Sequence, residues 1–194
     1  AKDSFTNNLT WQQQKIYANT NYDFLGNRIK ISLALPLSWQ AINYTDTVFK
    51  TKASVNFNQV FFNPTLSLRY ATGVESFLSA RYSFGNGVAT VQEAFGGFII
   101  NNINSITNNN IAVKQNNFHS ARIGYNDRKT IKIFFANIGL KYTSVNNNSI
   151  AQASLLSNLQ LQTIIPLNNT VNSLTLNGGI SKYLFKLKTT VNVK

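Results

Sequence analysis

Cysteine is absent from the chain, so neither a disulfide framework nor a thiolate metal site can form. That absence fits an exported bacterial protein. Histidine occurs once, at His119, and the six Asp and Glu residues are scattered, which leaves too few ligands for a metal centre. No cofactor is expected. No run of about 18 apolar residues exists, which excludes a transmembrane helix. Methionine is missing even at position 1, and the chain stops at Lys194 inside a strand-like pattern. The expectation is an internal segment of a longer protein, so the lack of a signal peptide carries no meaning.

The scarce residues also argue against an enzyme. A hydrolase would need His119 near a serine on the same face, but Ser120 is its neighbour and points the other way in a strand. Asp127 is expected in a turn and offers His119 no partner. Asp23 and Glu75 are far apart in sequence, and only folding could unite them as a carboxylate pair. Gly85-Asn86-Gly87 and Gly178-Gly179 do not open a helix as a phosphate-binding loop does.

Negative charge is also scarce. Eighteen Lys and Arg against six acids give a net charge of +12, which raises the question of nucleic-acid binding. The basic residues are spread singly along strands and turns, as at Arg28, Lys30, Arg69, Arg81, Lys141 and Lys186. No dense basic cluster with interleaved aromatics marks a docking surface, so nucleic acid is not expected as a partner. A cationic pore lining or a charged rim explains the scatter better.

What the chain does contain is period-2 alternation, in about ten runs. Successive side chains on a strand point to opposite faces. Ile16, Ala18, Thr20, Tyr22 and Phe24 share one phase, and a tight turn is expected at Leu25-Gly26-Asn27. Ile29, Ile31, Leu33, Leu35, Leu37 and Trp39 follow, opposite Arg28, Lys30, Ser32, Ala34, Ser38 and Gln40. Pro36 cannot donate to a ladder, which predicts a bulge or break there. A polar loop is expected from Asn43 to Lys50, then a strand over Ala53, Val55 and Phe57 and a turn at Phe61-Phe62-Asn63-Pro64. Leu66, Leu68 and Tyr70 oppose Ser67, Arg69 and Ala71. After a connection at 72–75, Leu78, Ala80, Tyr82 and Phe84 oppose Ser79, Arg81 and Ser83.

Gly85 to Asn110 is the longest expected irregular stretch, with room for a helical turn or an extra strand at Phe98 to Ile106. Long loops often carry function. Ala121, Ile123 and Tyr125 then lead to a predicted turn at Asn126-Asp127-Arg128-Lys129. Phe134, Ala136, Ile138, Leu140 and Tyr142 form the next apolar phase, and Asn146-Asn147-Asn148 reads as a loop. Leu159, Leu161, Thr163, Ile165 and Leu167 precede Leu174, Leu176 and Ile180. A turn near Ser181-Lys182 is expected before a last strand carrying Tyr183, Phe185, Leu187, Val191 and Val193. Short connections predict an antiparallel meander and one domain over residues 1–194.

An all-β chain of this kind turns its apolar face to a core or to a bilayer. Only 12% of the residues are charged, against roughly 25% in a typical soluble domain. The polar phase is Asn, Gln, Ser, Thr and Gly with single Lys and Arg, as suits a water-filled lumen. Aromatics recur near strand ends, at Tyr22, Trp39, Tyr70, Tyr82, Tyr125, Tyr142 and Tyr183, as in the girdles of outer-membrane barrels. Aromatics also favour strands for packing reasons alone. The lumen and girdle features together point to the bilayer.

Four segments carry a resemblance. They are Phe62-Asn63-Pro64-Thr65-Leu66-Ser67-Leu68-Arg69-Tyr70; Leu78-Ser79-Ala80-Arg81-Tyr82-Ser83-Phe84; Ile123-Gly124-Tyr125-Asn126-Asp127 with Phe134-Phe135-Ala136-Asn137-Ile138; and Ile180-Ser181-Lys182-Tyr183-Leu184. With these, most of the chain resembles the barrel region of TonB-dependent receptors, outer-membrane β-barrels of the Bacteroidota type. The resemblance implies a barrel of about 22 strands plugged by an N-terminal domain, of which about ten strands lie here. Neither the plug nor a TonB-contacting segment is in this sequence. The resemblance further implies a bacterial outer-membrane location, lipid contact, energy coupling through the TonB system and a surface lipoprotein partner.

The expected function is therefore transport of a nutrient, with Lys30, Arg69, Arg81 and Lys141 as pore-facing residues favouring anionic or strongly hydrogen-bonding solutes. Contact of these cations with a plug or with lipid headgroups is the other reading. Rival functions are a passive porin, a structural or assembly barrel, and a soluble basic β-sandwich that binds polyanions. The isolated segment, with unpaired edges and a lipid-facing surface, is expected to aggregate in water.

Overall fold

The computed structural model describes residues 8–48, 51–88, 97–109 and 114–193, and every regular element in them is a β-strand. The first five are β1 (Asn8–Leu25), β2 (Ile29–Val48), β3 (Thr51–Phe62), β4 (Thr65–Ala71) and β5 (Ser76–Val88). The remainder are β6 (Gly97–Asn102), β7 (Ser105–Asn109), β8 (Gln115–Lys129), β9 (Phe134–Leu156), β10 (Leu159–Leu184) and β11 (Thr189–Val193).

The strands form one sheet in the order β1-β2-β4-β5-β8-β9-β10-β7-β6, with β3 also on β2 and β11 also on β10. The sheet is open. Pairing is antiparallel except between β7 and β10, which run parallel. The expected simple meander therefore holds only in part. β5 pairs with β8 rather than with the next strand, and the β6–β7 hairpin docks on the far side of β10. This hairpin occupies much of the stretch expected to be irregular; residues 89–96 and 110 of that stretch lie outside the described residues.

All three prolines mark irregularities, though not in the way expected for Pro36. β1 and β2 pair through Asn19 and Pro36 without a register shift. The other edge of β2 changes partner there, from β4 (ending at Ala34 and Thr65) to β3 (beginning at Leu37 and Phe62). The Pro36 carbonyl accepts from the Asn63 N–H. A residue's N–H and C=O leave a strand on the same side, so the missing donor of Pro36 faces the Asn63-Pro64 joint. Pro166 adjoins a bulge in β10: it pairs with Ser149, and pairing resumes at Asn169 with Asn147. Two residues thus oppose one, which reverses the faces along β10.

Several expected loops and turns are strand. Asn43 to Val48 continues β2, and residues 49–50 lie outside the described residues. Phe61 and Phe62 remain in β3. Asn126 to Lys129 completes β8, so the turn falls at 130–133. Asn146-Asn147-Asn148 lies within β9. The last run is not one strand: Leu184 ends β10, residues 185–188 turn, and β11 starts at Thr189. In the first four cases a polar or mixed segment pairs through its backbone, which side-chain polarity does not prevent.

The buried side chains gather at one end of the polar face. Ile42 is fully buried, Tyr44 and Phe61 nearly so, Trp11 stacks on Tyr44 and Phe57 on Phe61. The apolar face has no such cover. Leu174, Leu176, Ile123 and Ile138 are all more than half exposed.

Candidate functional site: the two faces of the sheet

Register turns the alternation of single strands into continuous surfaces. Tyr22, Leu33, Leu66, Tyr82, Ala121, Tyr142 and Leu174 lie directly opposite one another along seven strands. Phe24, Ile31, Leu68, Ala80, Ile123, Leu140 and Leu176 form the next row. Ile29, Tyr70, Leu78, Tyr125 and Ile138 form a third. At about 4.8 Å between strands and about 6.8 Å between residues of one face, the three rows cover roughly 600 Å². That matches the largest patches of soluble monomers, about 300–600 Å², before the apolar positions beyond these rows are counted.

The apolar band runs obliquely to these rows. On β2 it extends from Ile29 to Trp39, and on β9 from Phe134 to Tyr142. Tyr142 is level with Leu33, three rows short of Trp39, and Phe134 lies two rows past the level of Ile29. The band thus shifts by two to three rows over the four steps from β2 to β9.

Beyond the band on β5, β8, β9 and β10, amides line both faces. On the same face as Tyr82 and Tyr142, Asn86, Asn117, Asn146 and Thr170 lie in register. Asn146 Nδ2 donates to Asn117 Oδ1 at 2.9 Å, and Thr170 Oγ1 donates to Asn146 Oδ1 at 2.6 Å. On the other face Asn147 Nδ2 donates to Asn169 Oδ1 at 3.3 Å. These amides, together with Asn116, line a cavity of about 440 Å³.

The four basic residues singled out from the sequence share the polar face. Lys30 lies directly opposite Arg69, and Arg69 opposite Ser79. One row on, Ser67, Arg81, Arg122, Lys141 and Thr175 are in register from β4 to β10. Arg122 therefore joins Arg81 to Lys141, and it was not among the residues predicted. The signal was available: Arg122 holds the phase opposite Ile123. The Arg69 guanidinium carbon sits 3.8 Å from the centroid of the Phe77 ring. Lys30, Ser32, Ser67, Arg69, Arg81 and Arg122 are among the residues lining a trough of about 400 Å³.

The remaining singled-out residues take other places. His119 is on the apolar face and Ser120 on the polar face. Asp127 is in β8, where it accepts from Ser76 Oγ and pairs with Lys129 at 3.3 Å. Asp23 accepts from Ser32 Oγ, and Glu75 Oε2 accepts from the Thr130 N–H at 2.8 Å, so the structure gives these two acids separate partners. Gly85-Asn86-Gly87 is strand, with Phe118 and Asn116 lying over the two glycines.

Fold and site together define an all-β protein built as an open, mostly antiparallel sheet with an exposed apolar face and a cationic polar face. Comparison with protein-family models, curated proteins and solved structures finds no match for the chain.

Proposed function

We propose that this chain is part of a transport barrel in a bacterial outer membrane, of the TonB-dependent receptor kind, importing a nutrient and catalysing no reaction. The apolar face would contact lipid and the cationic face the lumen or a plug domain. The oblique apolar band carries the reading. Two to three rows are about 14–20 Å along the strands, and four strand steps are about 19 Å across them. For such a band to lie level in a membrane, the strands must tilt by roughly 40°, within the range of about 35–45° found in outer-membrane barrels. The amide rows beyond the band suit strand extensions that leave the bilayer for water, and the open sheet leaves edges for further strands.

The test is to express the parent protein with its own signal sequence, fractionate the envelope, and run the outer-membrane fraction with and without heating. An outer-membrane band whose mobility changes on heating is the expected result. A product recovered soluble without detergent would sink the membrane reading and bring polyanion binding forward.

A further inference from the structure

We propose that the polar face holds a binding site for a solute carrying two or more oxyanion groups, gripped by Arg81, Arg122 and Lys141 with Lys30 and Arg69 beside them. This deepens the transport reading and rests on it.

Arg81, Arg122 and Lys141 face one another across β5, β8 and β9. Neighbouring strands are about 4.8 Å apart, so the outer two of these residues are about 10 Å apart at the backbone. Like charges directly opposite destabilise a sheet. The described carboxylates do little to offset this. Asp23 ends the same row, three strands from Arg81, and is hydrogen-bonded to Ser32. Glu75 and Asp127 are engaged at the turn end by Thr130, Ser76 and Lys129. A row of cations with no carboxylate beside it among the described side chains is the arrangement an incoming anion would complete.

The flanking rows fit that role. On one side Thr65, Ser83, Ser120, Thr143 and Ser173 lie in register, a line of hydroxyl donors parallel to the cations. On the other side stand Ser79, Gly124 and Gly139, with the Asn177 side chain lying over Gly139. The trough of about 400 Å³ opens between Lys30, Arg69, Ser79, Arg81 and Arg122. Arg69 is steadied by the Phe77 ring under its guanidinium face, which leaves the donors at the guanidinium edge to meet a ligand. Guanidinium groups bind phosphate, sulfate and carboxylate through paired N–H donors, a geometry that lysine alone does not offer. Three cationic residues on adjacent strands, about 5 Å apart at the backbone, suit linked anionic groups better than a single one.

The probe is sodium tripolyphosphate, titrated calorimetrically into the parent protein folded in detergent at low salt. Each preparation is first scored for the heat-modifiable band. Wild type is expected to bind, at least tenfold more tightly than it binds inorganic phosphate, with affinity falling as salt rises. The R81Q/R122Q double variant is expected to bind at least tenfold more weakly. A K132Q/K186Q control, with the same change in net charge at two turns, is expected to change by less than twofold. If the double variant does not fold, R122Q alone is used, with a loss of at least threefold expected.

A folded wild-type barrel that ignores tripolyphosphate would overturn the site and leave the transport reading standing. Equal losses in variant and control would overturn it too, since net charge alone would explain the binding. Loss of the folded band on R122Q, with no wild-type binding, would assign the row to an acidic segment of the protein itself and reject the solute. No heat-modifiable wild type at all would remove the transport reading and the proposal with it.

Discussion

The Tyr82 phenol oxygen lies 2.7 Å from His119 Nδ1, and the two side chains meet across β5 and β8 where the apolar face gives way to amides. The Phe84 ring centroid is 4.7 Å from that of the imidazole. Two residues further along, the same face carries Asn86 and Asn117. Two residues back from Tyr82 and four back from His119, it carries Ala80 and Ile123. An apolar body with a polar tip suits such a boundary, as in the aromatic girdle at a membrane interface.

This boundary predicts depth-dependent tolerance to charge. Leu140 lies in the middle of the three apolar rows, whereas Asn146 lies beyond the boundary on the same face of the same strand. In the parent protein refolded into lipid vesicles, L140R is expected to cost about 2–4 kcal/mol and N146R about 0–1 kcal/mol. Urea unfolding in vesicles measures both. Equal costs at the two positions would contradict the assigned boundary.

Gly85 and Phe118 make a tight cross-strand pair on the polar face. A Cβ at position 85 would overlap the Phe118 ring. G85V is therefore expected to destabilise by about 1–3 kcal/mol through overpacking. The F118A change, in the G85V background, should restore most of that loss. Unfolding midpoints of the single and double variants check the pair, and additive effects would refute the contact.

Ile133 closes the turn between β8 and β9 with a φ of 41°, a left-handed conformation that a β-branched residue rarely adopts. Its carbonyl accepts from the Tyr183 N–H at 3.0 Å, which helps hold the turn against β10. I133G should relieve about 1–2 kcal/mol of backbone strain, less whatever apolar contact the side chain makes. The expected readout is a higher unfolding midpoint for the parent barrel. A midpoint lower than wild type would show that the side chain outweighs the strain.

Some of this organisation was legible in single strands. The faces of β1, β4, β5 and the first half of β9 follow from alternation alone, because a strand sends successive side chains to opposite sides. Apolar positions also switch from odd to even between Ile165 and Leu174, a change that alternation alone does not place within one strand. The bulge after Pro166 explains it within the single strand β10. Asn43 to Val48 and Asn146 to Asn148 misled because polar residues resemble loops locally, while strand pairing here runs through backbone groups. Tyr183 to Val193 misled in the opposite sense, since its apolar phase continues on both sides of a tight turn.

Alternation alone makes the chain all-β and gives β1, β4, β5 and the first half of β9 one greasy and one wet side each. It also put Lys30, Arg69, Arg81 and Lys141 on the wet phase. Strand pairing is what sets Arg122 between Arg81 and Lys141, β5 against β8, and the apolar band oblique to the rows. The reason is register: the offset of one strand against another depends on the partner, the turns and the bulges together, and a slip of one residue turns every side chain to the other face.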